Sequence, residues 1–266
     1  MTHARRVGIW ISLAVLLWAG VAYGLAPLLL RHYEHQEKLE GRPMITMTAD
    51  GAPGDPINVG LEGAAEDVDC ALRAAGWRAA DPVKLRTSLH IVASVLGRRE
   101  YLTAPVSALF YDGRIQDVAY EKAAAASPSR RHHVRFWRVL DKGDDGEPVW
   151  LGAATYDRSV GFSHRTGQIT HHIGADVDAE RDELSDDLAR SGHVEATYRV
   201  SGIGPTLMGR NGGGDRYFTD GEVVVSRLRP GCVADGATPE VLAAPAATRW
   251  KDRAFVWLKA EGWASW

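Results

Sequence analysis

The sequence predicts an α+β fold, a mainly antiparallel sheet with a few packing helices, preceded by one transmembrane helix. Three observations predict it. Residues 7–30 carry no charge for 24 positions, enough to cross about 30 Å of hydrocarbon as a helix. Hydrophobic spacing then runs near four through two segments and changes to two after residue 105. Finally, a capped helical pattern interrupts the strands instead of alternating regularly with them, which separates α+β from doubly wound architectures.

The apolar run has Trp10, Trp18 and Tyr23 at interfacial or lipid-facing positions and Arg5 and Arg6 just ahead of it. By the positive-inside tendency, residues 1–6 are a cytoplasmic tail and the body is exported. A cleaved signal peptide is the rival reading, against which stand the length of the run and the lack of an Ala-x-Ala site. Residues 31–56 read as a stem and linker, ADGAPGDP at 49–56 being the linker proper, and 57–230 as the exported domain. Residues 231–266 form an extension whose Trp250, Trp257 and Trp263 suit docking on the domain or lying at a bilayer surface. The net charge of −3 excludes a basic nucleic-acid footprint. Cys70 and Cys232 are the only cysteines, and either one disulfide or two unpaired thiols fits.

Within the body, Val68, Ala71, Leu72 and Ala75 share a helical face over 66–75, with Gly76 as the stop. Asp81-Pro82 opens a second helix, with Leu85, Leu89, Val92 and Leu96 at helical spacing until Gly97. Asp112-Gly113 joins strands at 106–111 and 114–121. A second hairpin pairs 132–140 with 149–156, followed by a strand at 168–173, a helix at 177–190, and strands at 193–201 and 222–228. Between the last two lies Gly212-Gly213-Gly214, without the Lys-Ser/Thr of a phosphate loop. It reads as a connection, or as a loop over a site.

Half of the ten histidines fall between Arg130 and Asp182. Strand alternation puts Arg131, His133, Arg135 and Trp137 on one face and His132, Val134 and Phe136 on the core face. Two guanidinium forks flanking an imidazole suit a phosphate or carboxylate, so Arg131, Arg135 and Trp137 are the candidate ligand-binding residues; the rival reading is a solvated face with surface ion pairs. Small residues at 152–154 leave room for a ligand or a bulky neighbour. His133, His171, Asp157 and Glu180 are the candidate catalytic residues. If His133, Asp157 and His171 converge, they offer three ligands of a kind zinc accepts, although no contiguous metal motif exists and the cofactor is open. Asp176 and Asp178 read as helix-start acids.

Several spaced motifs together resemble the LssY C-terminal domain family of bacteria. They are Ala104-Pro105-Val106-Ser107, Gln116-Asp117, Arg131-His132-His133-x-Arg135-x-Trp137, Trp150-x-Gly152-Ala153-Ala154-x-x-Asp157, and Thr170-His171 leading to Asp178-x-Glu180-Arg181-Asp182. The resemblance spans roughly 57–198. It implies a bacterial envelope setting, since such domains are appended to membrane proteins of the DedA and lipid-phosphatase types, and it implies no particular activity. This chain departs from that architecture in having one span and no phosphatase module. The expected function is recognition of an anionic envelope lipid or glycan by a domain anchored in the inner membrane and facing the periplasm. The alternative is a hydrolase acting on an envelope phosphate, acyl or glycan substrate.

Overall fold

A computed structural model describes residues 3–25, 36–39, 41–80, 108–124, 130–167, 169–201, 208–243, 249–250, 253–254 and 256–257. Helix α1 (His3–Gly20) continues into a π-helical turn, Val21–Leu25, with its apolar side chains exposed. The stretch Arg5–Leu25 spans 21 residues at mean hydropathy 1.8. At 1.5 Å per residue that is about 31 Å, the thickness of a bilayer's apolar layer.

The body is built on strands β1 (Ile45–Met47), β2 (Pro53–Pro56), β3 (Val59–Glu62), β4 (Arg78–Ala79), β5 (Phe110–Tyr111), β6 (Arg114–Ile115), β7 (Val118–Ala123), β8 (Arg131–Leu140), β9 (Val149–Phe162), β10 (Ile169–Ile173), β11 (Val194–Ser201), β12 (Met208–Arg210), β13 (Arg216–Phe218), β14 (Glu222–Leu228) and β15 (Glu240–Val241). The main sheet runs β15-β11-β14-β3-β9-β8-β7-β4, with β10 also on β9; among its described strands β14–β3 and β11–β15 pair in parallel and the rest antiparallel. A smaller sheet runs β2-β1-β5-β6, and β12 pairs β13.

One face of the main sheet carries α2 (Ala65–Ala74) and α3 (Val177–Arg190). Val68, Ala71 and Leu72 of the first and Leu184 and Leu188 of the second bury against Val59, Leu61, Val134, Phe136 and Ala154. On the opposite face Trp137, Leu151, Ala153, Val223 and Val225 meet Leu109 and Tyr111, which belong to or adjoin the smaller sheet. Local signals account for the boundaries. Gly76 turns α2 off at φ +86°, the Asp176 carboxylate accepts from Ala179 N at 3.1 Å to start α3, and Asp112 and Gly113 take φ of 49° and 74° as a tight hairpin requires. The Cys70–Cys232 disulfide is formed and ties α2 to the Pro230–Cys232 turn.

Asn58 closes a gap in the sheet. Strand β3 pairs with the first part of β9 and β10 with its last part. Between them Asn58 N donates to Gly152 O, its Nδ2 donates to Ala154 O at 3.0 Å and Val177 O at 2.8 Å, and its Oδ1 accepts from Ala154 N at 2.9 Å. The side chain continues the ladder and fastens α3 to it. Asn58→Ala is expected to destabilise the domain by about 3 kcal/mol in urea unfolding, because three side-chain bonds vanish and their buried partners stay; a loss under about 1 kcal/mol would contradict this role.

Two expectations change here and a third is sharpened. Residues 49–56 are not a linker but the turn and second strand of the β1–β2 hairpin, and the fold reaches back to Gln36, 1% exposed, whose Nε2 donates to Glu62 Oε1 at 3.3 Å. The strand expected at 114–121 divides at Gln116-Asp117, β6 joining the small sheet and β7 the large one. Asp178 stands in the first turn of α3 as expected, but it is buried there: it accepts from Thr219 Oγ1 at 2.7 Å and Asp220 N at 2.8 Å beside Arg181, which itself bridges to Asp220 at 2.7 Å. Burial lifts the Asp178 carboxyl to about 6 despite Arg181. The helix expected from Asp81-Pro82 to Gly97, the Ala104–Ser107 motif and most of residues 244–266 lie outside the described residues.

Candidate functional site

Alternation along β8 points Arg131, His133 and Arg135 away from the helices, toward the smaller sheet. Across from them on β9, Thr155 and Asp157 face the same way, and β10 adds His171 beside Asp157. Arg131, His133, Arg135, Asp157 and His171 line a cavity of about 450 Å³ with Asp50 and Asp55 of the β1–β2 hairpin, Thr170, Ser163, and the Asn211–Gly213 loop. The histidines and the aspartate expected to converge therefore share one cavity.

The two arginines are not an open anion-binding face. Arg131 is 7% exposed, its Nε donating to Asp157 Oδ2 at 2.9 Å and its NH1 to Glu121 Oε2 at 2.8 Å. Arg135 is 4% exposed and pairs with Asp55 at 3.1 Å. Asp55, Glu121 and Thr155 escaped the sequence reading. Asp55 looked like linker, and tertiary ion pairs leave no local pattern.

Hydrogen-bond logic separates the two imidazoles. The Arg135 guanidinium, which can only donate, lies 3.0 Å from His133 Nε2, and the Thr155 hydroxyl lies 2.7 Å from the same atom. That nitrogen must therefore accept, leaving the proton on Nδ1, 3.2 Å from Asp157 Oδ2. His133 is hydrogen-bonded through Nε2, while its Nδ1 meets Asp157 only as a charge contact without a hydrogen bond. His171 hydrogen-bonds no described residue through its imidazole. Burial pushes it down to about 4, Asp157 opposing and Arg131, His133 and Arg135 reinforcing, so the ring is neutral near pH 7.

Asp157 is fully buried, and its Oδ1 has no hydrogen-bond partner among the described residues. Burial alone would raise its pKa, but His133, His171 and Arg131 outweigh that and hold the carboxyl well below the usual range. Asp157 is thus a fixed anion in this wall. The donor atoms of His133, Asp157 and His171 do not all fall within 4.8 Å of one another, as those of a ready metal cage would.

Two expected site residues lie elsewhere. Trp137 is fully buried outside the cavity, its ring centroid 5.8 Å from that of Tyr111 and its Nε1 donating to Arg114 O. Glu180 is on α3, across the sheet, where it pairs with His132 at 2.8 Å. Burial opposes charging His132, but Glu180 outweighs it and the pKa rises. The small residue Gly152 makes room for Phe136 directly opposite, not for a ligand: a Cβ there would sit 2.6 Å from its ring.

Neither a curated protein nor a solved structure matches the chain. A family model described as LssY C-terminus matches residues 36–223, from buried Gln36 through the cavity strands into β14. With more than half its length matched, the chain belongs to the LssY C-terminal family.

Proposed function

We propose that this domain is a hydrolase whose acid–base centre is His171, acting on an uncharged acyl or glycan substrate of the bacterial envelope. One observation carries the reading: a mostly buried, neutral imidazole without a hydrogen bond to any described residue faces a cavity beside a fixed carboxylate. Such a ring can take a proton from an attacking water and return it to the leaving group, while Asp157 stabilises the imidazolium formed between the two steps. His133, whose Nε2 is engaged by Arg135 and Thr155, lies against Asp157 at 3.2 Å.

Charge bears on the substrate class. The cavity wall contains three aspartates, 50, 55 and 157, against Arg131 and Arg135. A phosphate dianion would enter against that balance, whereas a hydroxyl-bearing neutral group meets Thr48, Ser163, Thr166 and Thr170. Recognition of an anion by Arg131 and Arg135 is thereby disfavoured. For location, we take the body to be periplasmic and tethered to the inner membrane: Arg5 and Arg6 precede the apolar helix, and the Cys70–Cys232 bond suits an oxidising compartment.

The test uses the full chain in detergent micelles against p-nitrophenyl acetate and butyrate and a panel of methylumbelliferyl glycosides. His171→Ala is expected to lower kcat by about 10²–10⁴-fold with an unchanged circular dichroism spectrum. Because the base must be unprotonated, wild-type activity should fall as pH drops through about 4. No turnover of any probe, or turnover indifferent to His171→Ala, would sink the proposal.

A further inference from the structure

A second histidine cluster lies at the rim of the cavity, outside the centre just described. The tip of the β9–β10 hairpin docks on the β12–β13 loop through His164 N donating to Gly213 O at 2.9 Å. The loop is internally braced: Asn211 Oδ1 accepts from both Gly213 N and Asp215 N at 3.0 Å. This junction brings His164, His172 and Asp215 together, their donor atoms all within 4.8 Å of one another.

We propose that His164, His172 and Asp215 bind a divalent transition-metal ion of the zinc class, which clips the two loops together at the cavity mouth. His172 Nδ1 lies 2.8 Å, and His164 Nε2 3.6 Å, from the same Asp215 Oδ1. Ligands about 2.0–2.1 Å from a tetrahedral zinc lie about 3.3–3.4 Å apart, and the two observed spacings bracket that value. Only small adjustments of the exposed His164 side chain are required.

The surroundings favour an ion over a plain hydrogen-bonded cluster. The Asp215 side chain is 2% exposed, and among the described residues its only ion-pair partners are these two imidazoles. Its Oδ2 accepts from Ile173 N at 3.2 Å, which aims Oδ1 outward at the rings. The His172 ring is seated over Gly161, where a Cβ would come within 2.5 Å of Nε2; this turns Nδ1 toward the carboxylate. Gly214, at φ +89°, lets the loop pass His164, whose Cβ would meet a side chain there at 2.8 Å. His164 is 60% exposed, so an ion can enter from solvent and water can complete its coordination. Two imidazoles and one carboxylate form a donor set used for zinc, iron and cobalt.

Ser163, Thr166 and Asn211–Gly213 lie on these same loops and line the cavity. The ion would hold that rim in place without touching His171.

The test is a titration of untagged full chain in detergent micelles, stripped with EDTA, with Co²⁺ read by visible absorption and then displaced by Zn²⁺. One equivalent of tetrahedral Co²⁺ is expected, with a rise in the thermal midpoint on adding Zn²⁺. His164→Gln and His172→Gln should each weaken binding by at least about tenfold and abolish that rise, while His171→Ala should titrate like wild type. Absence of a stoichiometric signal would overturn the site. So would titrations of both glutamine variants indistinguishable from wild type, or a signal lost only in His171→Ala, which would place the ion in the central cavity.

Discussion

Arg131→Ala should cost the domain about 3–5 kcal/mol of unfolding free energy. The guanidinium bridges two buried carboxylates, Asp157 at 0% and Glu121 at 4% side-chain exposure. Removing it leaves both in a low-dielectric wall without the cation that compensates them. Arg131→Lys should recover only part, because one ammonium cannot reproduce a fork that serves two acids at once. Urea unfolding of the full chain in micelles measures this. A solvent-facing arginine kept for a ligand would cost within about 0.5 kcal/mol on truncation. A loss that small would mean that Arg131 is a recognition residue after all, and would reopen the anionic-ligand reading.

Removing the disulfide has an effect of similar size. Cys70 and Cys232 close a loop with a sequence separation of 162, for which the chain-entropy relation gives about 5 kcal/mol as an upper figure. Cys70→Ala with Cys232→Ala should therefore lower the urea midpoint steeply, and dithiothreitol should bring the wild type to nearly the same point. The two treatments act through one bond, so reductant should have no further effect on the double variant. A wild type insensitive to reductant, together with a stable double variant, would show that the bond contributes little.

These effects separate what the chain discloses locally from what it does not. Helix α3 is legible to the residue, because Asp176 caps it and Leu184 and Leu188 recur on one face. The β8–β9 hairpin is legible because β-branched and aromatic residues at 134–139 and 149–156 flank the polar, Gly-containing turn at 141–148. The same alternation correctly places Arg131, His133 and Arg135 together, but it overreaches at Trp137. A strand face from 131 to 137 extends about 20 Å; the cavity lining stops at Arg135, and Tyr111 covers the far end. Glu180 fails for another reason: its helix packs on the opposite side of the sheet, which periodicity within α3 cannot reveal. Asp55 reaches Arg135 across 80 positions, and Asn58 reaches Val177 across 119. Their importance is created by the pairing of distant strands.

The burial of Gln36 bounds where the cavity can go. Even a fully extended chain could separate Leu25 from Gln36 by at most about 40 Å. A bilayer crossed by α1 would therefore keep the whole domain in a thin layer over its surface, however the intervening residues are arranged. Within that layer, encounter is a two-dimensional search. Molecules confined to the same plane would meet the cavity at a local concentration set by lateral density, and molecules free in bulk solvent would have no such advantage.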